Sequence, residues 1–325
     1  MSKVLCTDPL PQEIVALCES MLPNSVEFAA VPSLESDDFG RMAADAEFLL
    51  VGHRQVDDAL LAMAPNLRLI QRVGLGYENI DIEAVVRAGV PAAYTPDANS
   101  VAVAEHAIML MLVLVKRFTT AEAATRAGGW PMMEMVADGI GDLDETTIGL
   151  VGLGNIGQAV AERLLPFGPR LLYHARNRVD PTTEDRLGVS YRSLPELLES
   201  SQIVSLHLPV TEATRHIMGD EQFVRMPAGS FLVNVSRGAL VDEDALRRAI
   251  LRGHLAGAGL DTVEREEAGG NPFTDLPQVI VTPHTSGPTQ RGLHAILERS
   301  IANIVRMLAG ESIADPIPGT TSHSE

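Results

Sequence analysis

Residues 147–165, T-I-G-L-V-G-L-G-N-I-G-Q-A-V-A-E-R-L-L, constrain the fold of this chain more than any other stretch. An apolar strand, 148–151, runs into G-x-G-x-x-G at Gly152, Gly154 and Gly157. A helix over 158–165 follows, and Ile156, just before it, falls in line with Ala159, Val160 and Leu164 on one face. Between a strand and an amphipathic helix, this pattern marks a dinucleotide-binding turn. Gly152 permits the tight turn, Gly154 lets backbone approach a pyrophosphate, and Gly157 lets helix and strand pack closely. The N–H groups near Asn155 and Ile156, at the positive end of the helix dipole, offset phosphate charge. The plain alternative is a strand–turn–helix that uses glycine for geometry alone.

The rest of the chain supplies the scaffold such a turn needs. Strands are expected at 148–151, 170–174, 203–206, 231–235, 256–260 and 279–281, with helices at 158–165, 194–199 and 243–251 between them. That series fits a doubly wound parallel sheet. An earlier series has strands at 4–6, 48–52, 67–72 and 91–94 and helices at 11–21, 57–63 and 81–88, so it predicts a second parallel sheet. A helix over 101–117 is apolar nearly all round and should be buried between layers. Residues 119–144 carry Gly128, Gly129, Trp130, Pro131, Met132, Met133 and Met135, and read as an irregular excursion. A last helix, 293–308, has nothing left to pair with locally and is expected to return to the first series. The expected fold class is α/β with two doubly wound parallel-sheet domains. A Rossmann cofactor domain, 100–282, is inserted in a flavodoxin-like substrate domain, 1–99 plus 283–325.

Composition narrows the function. Hydrophobic residues make up 46% of the 325 residues and charged residues 21%, which excludes bulk disorder. A net charge of −18 repels phosphate backbones and anionic headgroups, so neither a nucleic acid nor a membrane is an expected partner. Two cysteines, Cys6 and Cys18, cannot form a disulfide framework, and no Cys/His cluster suggests a metal. The N-terminal stretch lacks an apolar run of signal-peptide length, so a soluble, cytoplasmic protein is expected.

The residue that ends the second strand of a dinucleotide domain selects the cofactor. An acid there binds the ribose hydroxyls of NAD. Here the strand runs into Ala175, Arg176, Asn177 and Arg178, and the next acid is Asp180. A guanidinium pairs with a phosphate dianion that a carboxylate would repel. The expectation is NADP(H) in preference to NAD(H), with solvated loop arginines as the alternative.

Seven separated stretches together resemble the D-isomer-specific 2-hydroxyacid dehydrogenase family. They are RVGLGYENID (72–81), NSVAVAEHAIMLML (99–112), VGLGNIG (151–157), VSLHLPVTEATRHIMG (204–219), NVSRGALVDEDAL (234–246), GAGLDTVEREE (257–267) and TPHTSG (282–287). The resemblance implies that Arg237 binds the substrate carboxylate and polarises its ketone, that His284 is the acid/base, and that Glu266 hydrogen-bonds His284. Chemistry agrees. Hydride delivery to a ketone leaves an oxygen that must be protonated, and imidazolium suits that task near neutral pH. A carboxylate behind the ring favours its charged form, and arginine stabilises developing negative charge. The family usually has proline after the glutamate. Here Glu267 follows, so Glu264 and Glu267 stay open as alternative partners of His284.

The resemblance also implies that the loop Val73, Gly74, Leu75 and Gly76 supplies backbone N–H groups to the substrate carboxylate. Cofactor contacts are implied for His207, Thr214, Val235, Ser236 and Asp261, with Asp261 accepting from the nicotinamide amide. The implied activity is reduction of a small 2-oxo acid, such as glyoxylate or hydroxypyruvate, to the D-2-hydroxy acid. A homodimer is implied, with the helix near Val101 and the following excursion at the contact; Trp130 and the nearby methionines either pack there or line the pocket. Two other readings stay open. A phosphite dehydrogenase-like member would carry lysine where Leu75 stands. A nucleotide-sensing corepressor-like protein would share the fold and the three side chains without turnover.

Overall fold

The computed structural model describes residues 1–34, 38–264, 266 and 270–320. The chain divides into two compact units, Met1–Asn99 with Gln290–Glu325, and Ser100–Thr289.

The first unit is a five-stranded parallel sheet: β1 (Ser2–Cys6), β2 (Val26–Ala30), β3 (Phe48–Val51), β4 (Leu69–Arg72) and β5 (Ala92–Ala93). Its order, β2-β1-β3-β4-β5, is the flavodoxin-like one. Side chains alternate between two cores, as a sheet covered on both faces requires. Val4, Phe48, Leu50 and Leu69 face one way and pack with Leu297, Ile301 and Ile304 of the helix Gln290–Leu308. Leu5, Leu49, Val51 and Ile70 face the other. The last long helix does join the first series. β2 and the short helix Phe39–Ala43 escaped the sequence reading, because V-E-F-A-A is an edge strand with only Phe28 buried.

At the carboxyl end of β1 and β3, Asp8 is 9% exposed. Its carboxylate accepts from the N–H groups of Gly52 (2.9 Å) and His53 (2.8 Å), the His53 ring (2.8 Å) and the Thr7 hydroxyl (2.8 Å). Burial works against the charge, but these bonds outweigh it and hold the carboxyl down at about 2. The stabilisation is therefore full above the ordinary carboxyl value and is lost as pH falls towards 2. Asp8→Asn should cost about 1–2 kcal/mol at pH 7 after allowance for solvent screening. Urea midpoints of the two proteins should draw together below pH 4; a gap that stays constant with pH would contradict the account.

The second unit is a seven-stranded parallel sheet: β6 (Thr147–Val151), β7 (Arg170–His174), β8 (Val189–Tyr191), β9 (Ile203–Leu206), β10 (Ser230–Asn234), β11 (Leu255–Leu260) and β12 (Val279–Val281). Its order is β12-β11-β10-β9-β6-β7-β8, a Rossmann sheet with the switch point between β6 and β9. The reading missed β8, a three-residue edge strand in which only Val189 is buried. The helix Ser100–Val115 buries Ala104, Ala107, Leu110 and Met111 and packs with Val160 and Leu164 of the helix Asn155–Leu164.

The expected irregular excursion is a correction. It holds two helices, Phe118–Arg126 and Met132–Ala137, separated by Gly128, Gly129 and Pro131. The glycines and proline break the run but do not abolish it, since A-E-A-A-T-R consists largely of helix formers. A second difference concerns the return crossing, which falls after Thr289 rather than at Pro283. Residues 282–286 stay with the second unit because Thr282 N–H donates to Leu260 (2.9 Å) and His284 N–H to Asp261 (3.0 Å). No helix among the described residues is long and apolar enough to cross a membrane.

Candidate active site

The glycine turn has the geometry its sequence demands. Gly152 sits at φ 101°, and a Cβ there would lie 2.3 Å from the His207 carbonyl oxygen. A Cβ on Gly157 would lie 2.4 Å from the Gly152 carbonyl oxygen. At Gly154 the opposite holds: a Cβ would meet nothing within 4 Å. Two glycines are thus required by the protein's own backbone. The third faces open space at the start of the helix Asn155–Leu164. His207 lies behind the turn, 9% exposed, its Nε2 3.0 Å from the Ser205 hydroxyl. Its Nδ1 has no partner among the described residues. Burial pushes this imidazole down to about 4, so it is neutral near pH 7. The open cradle, the helix N-terminus and the unpaired buried nitrogen fit a bound dinucleotide.

Beyond β7, Ala175 is half-buried, whereas Arg176 and Asn177 are exposed. Arg178 is occupied elsewhere, its guanidinium donating to Glu184 at 2.8 and 2.7 Å. Hydrogen bonds from Arg178 and the Tyr173 hydroxyl hold the Glu184 carboxyl down at about 2. Asp180 is a helix cap that accepts from Thr183 N–H at 3.0 Å. Of the charged groups in this stretch, Arg176 remains as the one without an assigned structural task.

His284 and Glu266 come together on two loops at the carboxyl edge of the same sheet. His284 follows β12 and Glu266 follows β11, and the His284 Nδ1 lies 2.7 Å from a Glu266 carboxylate oxygen. The structure therefore picks Glu266 for His284. Glu264 pairs with Arg215 instead, and Glu267 lies outside the described residues. His284 adopts the left-handed backbone at φ 53°. What imposes that conformation is Asp261, 1% exposed, whose two oxygens accept from the Thr282 hydroxyl (2.5 Å), Thr285 N–H (2.9 Å) and Ser286 N–H (2.9 Å). A nicotinamide amide at Asp261 would share an oxygen already bonded within this loop. His106 reaches the same knot, its Nε2 2.9 Å from the Thr282 hydroxyl. Sequence reasoning missed that role, although Thr282 and Thr285 flank His284 in T-P-H-T-S-G.

Arg237 follows β10. Its carbonyl accepts from the Asn234 side chain (2.8 Å), and its guanidinium donates to the Ser236 carbonyl (2.8 Å). Ser236 in turn donates to Leu206 (2.8 Å), and Val235 is buried. A Cβ on the next residue, Gly238, would fall 2.0 Å from the Val263 carbonyl carbon, so the Arg237 segment packs directly on the loop that leads to Glu266. The Thr214 hydroxyl closes the turn after β9 by donating to Pro209 (2.7 Å) and accepting from Thr211 N–H (2.7 Å).

In the first unit, the 73–76 loop follows β4. Two of its four amides are not available as expected. Val73 N–H donates to Val51 (2.9 Å), and Gly74 N–H to the Thr95 hydroxyl (2.7 Å). These bonds shape the loop.

Comparison with known proteins agrees with this geometry. Residues 108–286 match the family model described as D-isomer specific 2-hydroxyacid dehydrogenase, NAD binding domain. The chain belongs to the D-isomer specific 2-hydroxyacid dehydrogenases. Members similar to it include a glyoxylate reductase of Thermococcus litoralis, 36% identical over 262 residues, covering 79% of this chain and 78% of that protein. A D-3-phosphoglycerate dehydrogenase of Mycobacterium tuberculosis is 34% identical over 316 residues, covering 97% of this chain but 58% of that protein. Among solved structures, D-lactate dehydrogenase from Aquifex aeolicus, complexed with NAD and lactic acid, superposes with a TM-score of 0.85 at 28% identity, covering 95% of this chain and 96% of that one. A Thermus thermophilus protein reaches 0.86 at 32% identity, covering 97% and 99%. This D-2-hydroxyacid dehydrogenase is thus an oxidoreductase whose second unit is a nicotinamide-cofactor domain of Rossmann type.

Proposed function

We propose that the protein reduces a small 2-oxo acid, with glyoxylate and hydroxypyruvate the leading candidates, and prefers NADPH to NADH. The observation that carries the reading is the His284–Glu266 pair, at 2.7 Å, on the sheet edge that also holds the open Gly154 cradle. When bound, the nicotinamide supplies hydride to the carbonyl carbon. His284 gives its Nε2 proton to the carbonyl oxygen, so 2-oxo acid plus hydride plus proton becomes the 2-hydroxy acid. Glu266 holds the ring by Nδ1 and compensates the imidazolium charge. The Arg237 guanidinium draws on the carbonyl and the substrate carboxylate together. The amides of Leu75 and Gly76 are assigned to that carboxylate. Gly152, Gly154, Asn155, Ile156 and Gly157 are assigned to the pyrophosphate, and His207, Thr214, Val235 and Ser236 to the rest of the dinucleotide. Asp261 positions His284.

Ala175, Arg176 and Asn177 are assigned to the adenosine ribose, with Arg176 on the 2′-phosphate of NADPH. The test is steady-state kinetics with glyoxylate and hydroxypyruvate and both cofactors. NADPH should give the higher kcat/KM, and Arg176→Ala should cost it about tenfold or more, one charge-assisted phosphate contact, while sparing NADH. A tenfold preference for NADH, or equal loss of both, would refute the assignment of Arg176. Absence of turnover with every 2-oxo acid would favour a nucleotide-sensing role.

We also propose a cytoplasmic homodimer. Trp130 is 84% exposed, and Phe118, Met132, Met133 and Val136 of the same 118–137 stretch are exposed too, an apolar load that marks the stretch as an interaction surface. Light scattering should give a dimer mass, and Trp130→Ser with Met133→Glu should shift it towards a monomer. An unchanged mass would move the contact elsewhere.

A further inference from the structure

The loop that carries Glu266 holds a second carboxylate with different partners. One Glu264 oxygen lies 2.6 Å from the Arg215 guanidinium, and the other lies 3.4 Å from His216 Nε2. The Glu264 N–H donates to the Glu243 carboxylate at 2.7 Å. These partners come from two other segments. Arg215 and His216 sit on the turn after Thr214, where His216 adopts φ 49° and its N–H donates to Ala239 (2.9 Å). Glu243 opens the helix Glu243–Leu251, which follows Arg237 and Gly238. Gly238 is pressed against the Val263–Glu264 peptide. Three stretches, 214–218, 237–243 and 261–264 with Glu266 beyond it, therefore meet at Glu264. One carries Arg237 and another leads to Glu266.

Ion pairs as exposed as Arg215–Glu264 add little to global stability. Their value here is geometric. Glu266 stands two residues beyond Glu264, and its bond to His284 tolerates little displacement. Without the latch, the bonds that remain at Glu264 itself are the Glu243 bond to its N–H and the Gly238 packing, among the described residues.

We propose that Glu264, clamped by Arg215, His216 and Glu243, is a positioning residue that keeps Glu266 on His284. The proposal rests on the reading of His284 as proton donor, but its first test needs no turnover. In the full-length protein labelled with ¹⁵N-histidine, the Nδ1–H proton bonded to Glu266 should give a downfield signal, assigned by its loss in His284→Asn. Arg215→Ala and Glu264→Ala should lose that signal or exchange it about tenfold faster, and Arg215→Lys should keep it. In the kinetic arm, Arg215→Ala should lower kcat about tenfold with the NADPH KM within about twofold, because only the proton donor is disturbed. A lowered melting temperature with the signal intact, or a parallel rise in the NADPH KM, would overturn the proposal. Complete absence of reductase activity would sink the functional reading and leave the NMR arm to decide the latch.

Discussion

His284→Asn is expected to lower kcat for 2-oxo acid reduction by about 10²–10⁴-fold, the range for loss of a general acid. Asparagine is the right replacement because residue 284 sits at φ 53°, a conformation that asparagine adopts more readily than most side chains. The backbone bond from His284 N–H to Asp261 survives the change. Cofactor affinity should therefore stay within about threefold, since the dinucleotide turn is built from other strands. Stopped-flow measurement of NADPH oxidation, with affinity read from quenching of NADPH fluorescence, separates the two effects. Retention of more than a tenth of wild-type kcat would remove His284 from the chemistry.

Arg237→Ala carries the second large effect, a fall of about 10²–10³-fold in kcat/KM for the 2-oxo acid. In the proposed mechanism the change removes the charge that draws on the carbonyl oxygen and one partner of the carboxylate. Arg237→Lys should recover only part of the loss, because an ammonium cannot reproduce the two-pronged geometry of the guanidinium. The backbone at 237 is set by Asn234 and by Gly238, so both variants should fold. Steady-state kinetics with glyoxylate and a second, bulkier 2-oxo acid decide the matter. Losses confined to the bulkier acid would mean that Arg237 reads the side chain rather than the reacting end.

What the sequence disclosed and what it hid divide along physical lines. The turn at Gly152, Gly154 and Gly157 was legible because its spacing between an apolar strand and an amphipathic helix is a local pattern, and two of the three glycines answer to backbone atoms at 2.3–2.4 Å. The sheet interior was legible for the same local reason: Leu49, Leu50, Ile203 and Val204 form short apolar runs between breakers. The edge strands β2 and β8 bury one residue each and carry no such run. The helix Phe118–Arg126 buries none of its own residues, so its neighbouring glycines and proline dominated the reading. At the site, the choice between Glu264 and Glu266 could not be made from neighbours in the chain. It depends on Arg215 and His216, nearly fifty residues away, which claim Glu264 and leave Glu266 for His284. Arg178 shows the converse. It looked equivalent to Arg176 until Glu184, one helix onward, claimed it.

The absence of any side chain at position 238 has a practical corollary. One extra methyl there would act as a wedge between the strand end bearing the guanidinium and the loop bearing the carboxylate. A protein altered at that single carbon should lose 2-oxo acid reduction through displacement of both segments, and a Gly238→Ala protein with wild-type kcat would show that the two need not touch.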